Sequence, residues 1–167
     1  MIKKFMDEHK KWLKDFDPNI GNYISGFTDG EGSFNVSLKK RKDYKNDWKI
    51  SPSFNISQKD RTILAFFKKR LECGTLRERK DGVVYYEVAN IEMLKKRIIP
   101  FFEKFRFLSA NKKRNFSIFV KIIDLIYQKQ HLQKEGFKEI LELREKLNFR
   151  IGRTRKYNIK DVINNHK

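Results

Sequence analysis

The chain has 167 residues, with 39 Lys and Arg against 21 Asp and Glu, a formal charge of +18. Hydrophobic residues make up 39% and aromatics 14%, enough to bury the core of one domain, which excludes a wholly disordered chain. The single cysteine, Cys73, excludes an internal disulfide framework and any multi-thiolate metal centre.

His9, His131 and His166 show no metal-binding spacing. No apolar run approaches the roughly 18 residues of a membrane span, so no membrane is expected. The opening MIKKFMDEHKKWLKDF does not read as a signal peptide. The expected setting is a soluble, reducing compartment, with a polyanion, nucleic acid foremost, as partner.

In chain order, Ile2, Phe5, Met6, Trp12, Leu13 and Phe16 form a broken helical stripe, interrupted at Asp17-Pro18-Asn19. Asn19 is expected to cap a second helix from about Ile20, carrying Tyr23, Ile24 and Phe27 and ended by Gly30 and Gly32. From Ser33 the period becomes two: Phe34, Val36 and Leu38 oppose Ser33, Asn35, Ser37, Lys39 and Arg41. After a polar turn at 42–47, Trp48, Ile50, Phe54 and Ile56 oppose Lys49, Ser51, Ser53, Asn55 and Ser57. Pro52 cannot donate to a ladder and predicts an edge position or a bulge.

Helical spacing returns at Ile63, Phe66, Phe67 and Leu71. A hairpin follows, 75–79 and 83–89 about Lys80-Asp81-Gly82. Helices are predicted over 91–105, 111–130 and 135–147, with one short helix in the basic tail. The order defines an α+β fold with one antiparallel sheet. Its expected divisions are a helical extension (1–18), a body (19–148) and a tail (149–167).

The polar faces of the first two strands carry Ser, Asn, Lys and Arg and no acid. The second hairpin adds Thr75, Arg77 and Arg79, with Tyr85 and Glu87 across its turn. Arg and Lys read guanine edges, Asn reads adenine, and a sheet of this kind enters a major groove. The competing reading is an ordinary solvated face.

The segment Ile24-Ser25-Gly26-Phe27-Thr28-Asp29-Gly30-Glu31-Gly32-Ser33 carries the chemistry. Gly26 and Gly30, four apart, leave one helix face nearly flat, so two such helices could approach closely. The Gly30 carbonyl and Glu31 carboxylate are hard oxygen donors suited to Mg²⁺. Two copies would bring two carboxylates together, a repulsion that divalent metal relieves. The alternative is a plain helix-ending turn. An EF-hand fails because Lys40 stands where the bidentate Glu belongs, and a dinucleotide fingerprint fails on glycine spacing.

ISGFTDGEGSF resembles the motif of LAGLIDADG homing endonucleases, and the element order matches one subunit of that family over roughly 19–147. The resemblance implies an αββαββα core with an antiparallel four-stranded DNA-binding sheet and trailing helices. With one motif, it implies a homodimer cutting both strands of a long pseudo-palindromic DNA site and leaving 3′ overhangs. It implies Mg²⁺ as cofactor, with Mn²⁺ substituting and Ca²⁺ supporting binding without cleavage.

Position by position, Glu31 and Gly30 match the metal-binding end and Gln58 the residue positioning the water network. Lys112 matches the active-site cation, with Lys113 as the alternative. Thr62 stands where some relatives have arginine. Asp29 matches a brace for the helix junction rather than a metal ligand. Base contacts fall on Ser37, Lys39, Arg41, Tyr44, Lys49, Ser51, Asn55, Arg77, Arg79, Tyr85 and Glu87, and Lys59 on base or backbone phosphate. The dimer contact falls on Gly26, Phe27 and Gly30.

Other features have plainer readings: Phe101, Phe102, Phe105 and Phe107 as core, Trp12 and Trp48 as packing, and Cys73 as a buried small residue. Two other classes compete: a maturase binding intron RNA, or a non-cutting DNA-binding regulator of the same fold. A basic ribosome-associated protein would explain the charge but not the motif. Abundant Lys, Ile, Asn and Phe fit an AT-rich organellar or microbial genome, chloroplast, mitochondrion or bacterial or archaeal cytoplasm. No targeting peptide is visible.

Overall fold

The structure is a computed structural model, and it describes residues 12–44, 47–148 and 155–163. Most of the helix predicted over 2–16 lies outside these residues, as do His9, His166, Lys45, Asn46 and parts of the tail; residues 12–14 are helical.

Helix α1 spans Pro18–Glu31, and its cap is Asp17, not Asn19. Asp17 Oδ1 accepts the N–H groups of Asn19 (2.8 Å) and Ile20 (3.4 Å). The following proline explains the shift: it forces the preceding residue out of helical geometry and is itself preset for the first turn. Gly30 stays inside the helix, and Gly32 closes it in extended conformation. A Cβ at Gly32 would meet the Thr28 side chain and its carbonyl (2.8 Å), so only glycine lets the strand leave at this angle.

Strand β1 (Gly32–Lys40) pairs antiparallel with β2 (Trp48–Gln58), and β3 (Thr75–Glu78) with β4 (Val84–Val88). The sheet order is β1-β2-β4-β3, so β1 and β3 are edges. Pro52 sits in an inner strand, yet β4 pairs with β2 only over Phe54–Gln58. At Pro52, opposite Val36, β2 is therefore locally an edge, as a residue lacking an N–H requires.

Helix α2 (Arg61–Leu71) connects the hairpins. Helix α3 runs as Ile91–Met93, a π turn at Leu94–Ile98, then Ile99–Lys104. The periodicity over 91–105 predicts an unbroken α-helix and does not register the π turn. The turn ends one residue short of Pro100, which lacks the N–H an α-helix would use, and the Ile99 N–H reaches back to the Leu94 carbonyl. Helices α4 (Ala110–Tyr127), α5 (Lys134–Lys146) and α6 (Ile159–Ile163) follow.

All helices but the last pack against one core, with Phe34 near its centre. The Phe34 ring lies 5.0 Å from Phe119, 5.4 Å from Phe54 and Phe116, and 5.9 Å from Phe107. Phe101, Phe102, Phe105 and Phe107 are buried, as expected of core residues. A second, smaller cluster of Leu38, Trp48, Phe137, Leu141 and Val162 seats α6 on the far end of the long hairpin. Cys73 is buried beside the Tyr86 hydroxyl (3.6 Å).

Candidate nucleic-acid interface and catalytic site

The strand registers bring the polar residues into rows on one face of the sheet. Ser33 lies opposite Asn55, which lies opposite Glu87, which lies opposite Thr75. A second row is Ser57, Tyr85 and Arg77; further out come Asn35 with Ser53, Ser37 with Ser51, and Lys39 with Lys49. Two lysines directly opposite each other destabilise a bare sheet, so the Lys39–Lys49 pair favours an anionic partner over plain solvation.

Several of these side chains are already oriented. Arg77 pairs with Glu87 (2.5 Å), Arg79 donates to the Tyr85 hydroxyl (2.8 Å), and Arg41 pairs with Asp43 (2.7 Å) at the hairpin tip. Tyr44 lies under both Arg41 (5.7 Å) and Lys49 (5.9 Å). Lys59 is exposed just beyond β2.

Glu31 is the exposed last residue of α1, at the end of the sheet where Gly32 pairs with Ile56. Gln58 closes β2 at that same end, on the side of Phe54 and Ile56, with its Oε1 accepting the Lys59 N–H (3.3 Å). Lys112 arrives from α4 and its Nζ bonds the Gly32 carbonyl. Burial pulls the Lys112 pKa down, and the negative charges of Asp29 and Glu31 oppose that pull without cancelling it. The described structure thus brings Glu31, Gly30 and Lys112 together, and places Lys112, rather than Lys113, against the motif.

Asp29 braces the junction. Its carboxylate accepts the Leu108 and Ser109 N–H groups (2.9 Å each) and the Ser109 hydroxyl. Ser109 in turn caps α4 by accepting the Lys112 N–H (3.3 Å). Burial raises the Asp29 pKa, but the Ser109 and Leu108 hydrogen bonds and the Lys112 charge outweigh it, and the net shift is downward. A carboxylate depressed in the folded state stabilises fully above its unfolded value and loses that contribution as pH falls through the folded value. Asp29→Ala is therefore expected to lose about 1–2 kcal/mol at pH 7, the modest end for charged hydrogen bonds because the site is open to water. Urea unfolding should show the gap to wild type narrowing below about pH 4; a gap independent of pH would remove the ionised carboxylate from the account.

Along α1, Asn19, Asn22, Tyr23, Gly26 and Gly30 form one exposed stripe, opposite the buried Gly21, Ile24, Ser25 and Thr28. A Cβ at Gly26 or Gly30 would meet nothing within 4 Å. Phe27, placed with these glycines on sequence grounds, is half-buried with its ring edge on Phe67 (5.2 Å), so only part of it faces outward.

Residues that sequence reasoning missed line an open polar groove of about 1120 Å³ that runs from Asp29 and Gly30 along the outer edge of β1. Asn115, Arg144 and Asn148 are the principal ones. Asn148 carried one legible signal: an asparagine just past a helix end favours the left-handed conformation it adopts here (φ 54°). Arg144 carried none.

The LAGLIDADG endonuclease family model matches residues 24–123. The chain belongs to that family. It is 36% identical over 146 residues to "Probable intron-encoded endonuclease 2" of Neurospora crassa, covering 85% of this chain but 32% of that protein. Among solved structures it resembles the archaeal intron-encoded homing endonuclease I-Vdi141I complexed with DNA, at 32% identity and a TM-score of 0.80 over 86% of this chain and 92% of that one. It also resembles I-SmaMI bound to uncleaved DNA in the presence of calcium ions, at 29% identity and a TM-score of 0.73, covering 77% of this chain and 44% of that one. No helix among the described residues is long and apolar enough to cross a membrane.

Proposed function

We propose that this chain is a homing endonuclease that acts as a homodimer on a long pseudo-palindromic DNA site and hydrolyses both strands, leaving 3′ overhangs. The observation that carries the reading is the meeting of Lys112 with the Gly32 carbonyl beside Glu31, at the border of a basic sheet face. DNA lies along that face, read by the rows from Lys39 to Arg77, with Lys59 and the tip residues Arg41 and Tyr44 at its margins.

A divalent cation fits the donor set, because the Glu31 carboxylate and Gly30 carbonyl are hard oxygens. One chain falls short of a complete site: among the described residues no three His, Cys, Asp or Glu cluster, and Asp29 is committed to Ser109 and Leu108. Two Glu31 residues across a two-fold axis, with phosphate oxygens, complete it. A bound Mg²⁺ or Mn²⁺ would lower the pKa of the attacking water and offset charge on the phosphate. Glu31 holds that charge in place, Lys112 adds positive charge at the scissile phosphate, and Gln58 orients water. No histidine is required. The gene's setting is an intron, in an organelle or an archaeal or bacterial cytoplasm.

Digestion of a randomised duplex library, with Mg²⁺, Ca²⁺ or EDTA, tests the reading. Mg²⁺-dependent cuts at one pseudo-palindrome, with binding but no cuts in Ca²⁺, are expected. Folded, dimeric protein that enriches a site and never cuts it would overturn the nuclease reading and favour a regulator or an intron-RNA partner.

A further inference from the structure

Strand β1 is an edge, yet three successive outward carbonyls along it are each closed by a side chain rather than by backbone. Lys112 Nζ bonds the Gly32 carbonyl, Asn148 Nδ2 the Phe34 carbonyl (2.7 Å) and Arg144 Nε the Val36 carbonyl (2.8 Å). Alternate residues of one strand present their carbonyls on the same side, so these three donors stand in register, as a neighbouring strand's N–H groups would. The donors come from 80–114 residues away in sequence, on α4 and at the end of α5.

These two elements are tied to each other one turn beyond Lys112. The Asn148 N–H donates to Asn115 Oδ1, and Asn115 Nδ2 donates to Asn148 Oδ1, both at 3.1 Å. Asn115 is nearly fully buried, at 4% exposure, so this amide pair is shielded from competing water. Arg114 adds a bond to the Lys146 carbonyl (3.3 Å). The start of α4 is therefore held at two levels. Asp29 holds its cap through Ser109, and Asn148 holds its second turn while gripping β1 two residues beyond the carbonyl that Lys112 bonds.

We infer that Asn148, with Arg144 beside it, is a positioning residue that registers Lys112 against the motif end of β1. Both lie beyond the residues 24–123 that match the family model. The inference rests on the role assigned to Lys112 above. Without the Asn148 amide, the second turn of α4 keeps its helix but loses its fixed distance from β1. A displacement of about 1 Å at a reacting centre is enough to slow chemistry by about 10²-fold.

The variant is Asn148→Gly, which keeps the left-handed backbone and removes the amide. Its single-turnover cleavage in Mg²⁺ is expected to fall about 10–100-fold, with target affinity in Ca²⁺ within about threefold of wild type. In a Lys112→Ala background the same change should slow cutting by no more than about threefold, because the two act as one unit. Full additivity, or an equal loss of binding and cutting, would reduce Asn148 to a structural role and overturn the inference. Hydrogen exchange needs no DNA: amides 112–116 should lose about tenfold protection in the variant while those of β4 stay unchanged. Unchanged protection at 112–116 overturns the inference even if wild-type protein cuts. Failure of wild type to cut overturns the nuclease reading alone, and the exchange result then decides this one.

Discussion

Glu31→Gln is expected to leave a protein that still selects its proposed DNA site and no longer cuts either strand. Glutamine keeps the size of the side chain and removes its charge. Glu31 is exposed and ends α1, and no hydrogen bond of the fold depends on its carboxylate among the described contacts, so stability is expected to stay within about 0.5 kcal/mol. The sheet residues proposed to face DNA are untouched, so affinity in Ca²⁺ is expected to stay close to wild type.

The chemistry changes because a neutral amide is a poor ligand for a hard divalent ion and cannot hold its charge beside the phosphate. A loss of about 10³-fold or more in single-turnover rate corresponds to about 4 kcal/mol of transition-state stabilisation. Lys112→Ala should cost less, about 10–100-fold, since it contributes charge without supplying the nucleophile. Residual cutting by Glu31→Gln within tenfold of wild type would move the metal site elsewhere.

What the sequence made legible here follows from short-range physics. The period-two pattern from Ser33 to Ser57 identifies the polar rows proposed to face DNA, because a one-residue slip would turn Phe34 and Phe54 into solvent. The DGEGS turn is legible for the same reason: a helical period stops and a strand period begins at Gly32. Cap preference alone favours Asn19 as readily as Asp17; the proline between them decides the backbone and makes Asp17 the cap. The π turn before Pro100 follows from a single missing N–H, and periodicity does not register it.

The closure of β1 was illegible for another reason. Arg144 and Val36 are 108 residues apart, and Asn148 and Phe34 are 114 apart. No local pattern marks a side chain that caps a distant edge carbonyl. Edge strands need such covering to avoid pairing with other chains, and this requirement is known only once the strand order is known.

The stripe on α1 yields the second large effect. Gly26 lies in the middle of a helix, where alanine would be about 1 kcal/mol more favourable, and a Cβ there meets nothing in the chain itself. The fold therefore gives no reason for glycine at this position, in contrast to Gly21, where a Cβ would fall on the Phe105 ring. A second copy of the same face does give one, since two glycine faces let helix backbones approach within van der Waals contact. Gly26→Leu is accordingly expected to raise or preserve the stability of the isolated subunit and to block the dimer. Sedimentation equilibrium should show a dissociation constant at least about 100-fold weaker, about 2.7 kcal/mol of lost association. Double-strand cleavage should disappear with it, because one subunit carries one Glu31. Gly21→Ala should do the reverse, lowering stability by about 1–3 kcal/mol through overpacking while leaving association of the folded fraction unchanged. A Gly26→Leu protein that remains dimeric and active would place the two-fold axis on another face and leave the exposed Tyr23 and the glycines of α1 without a partner.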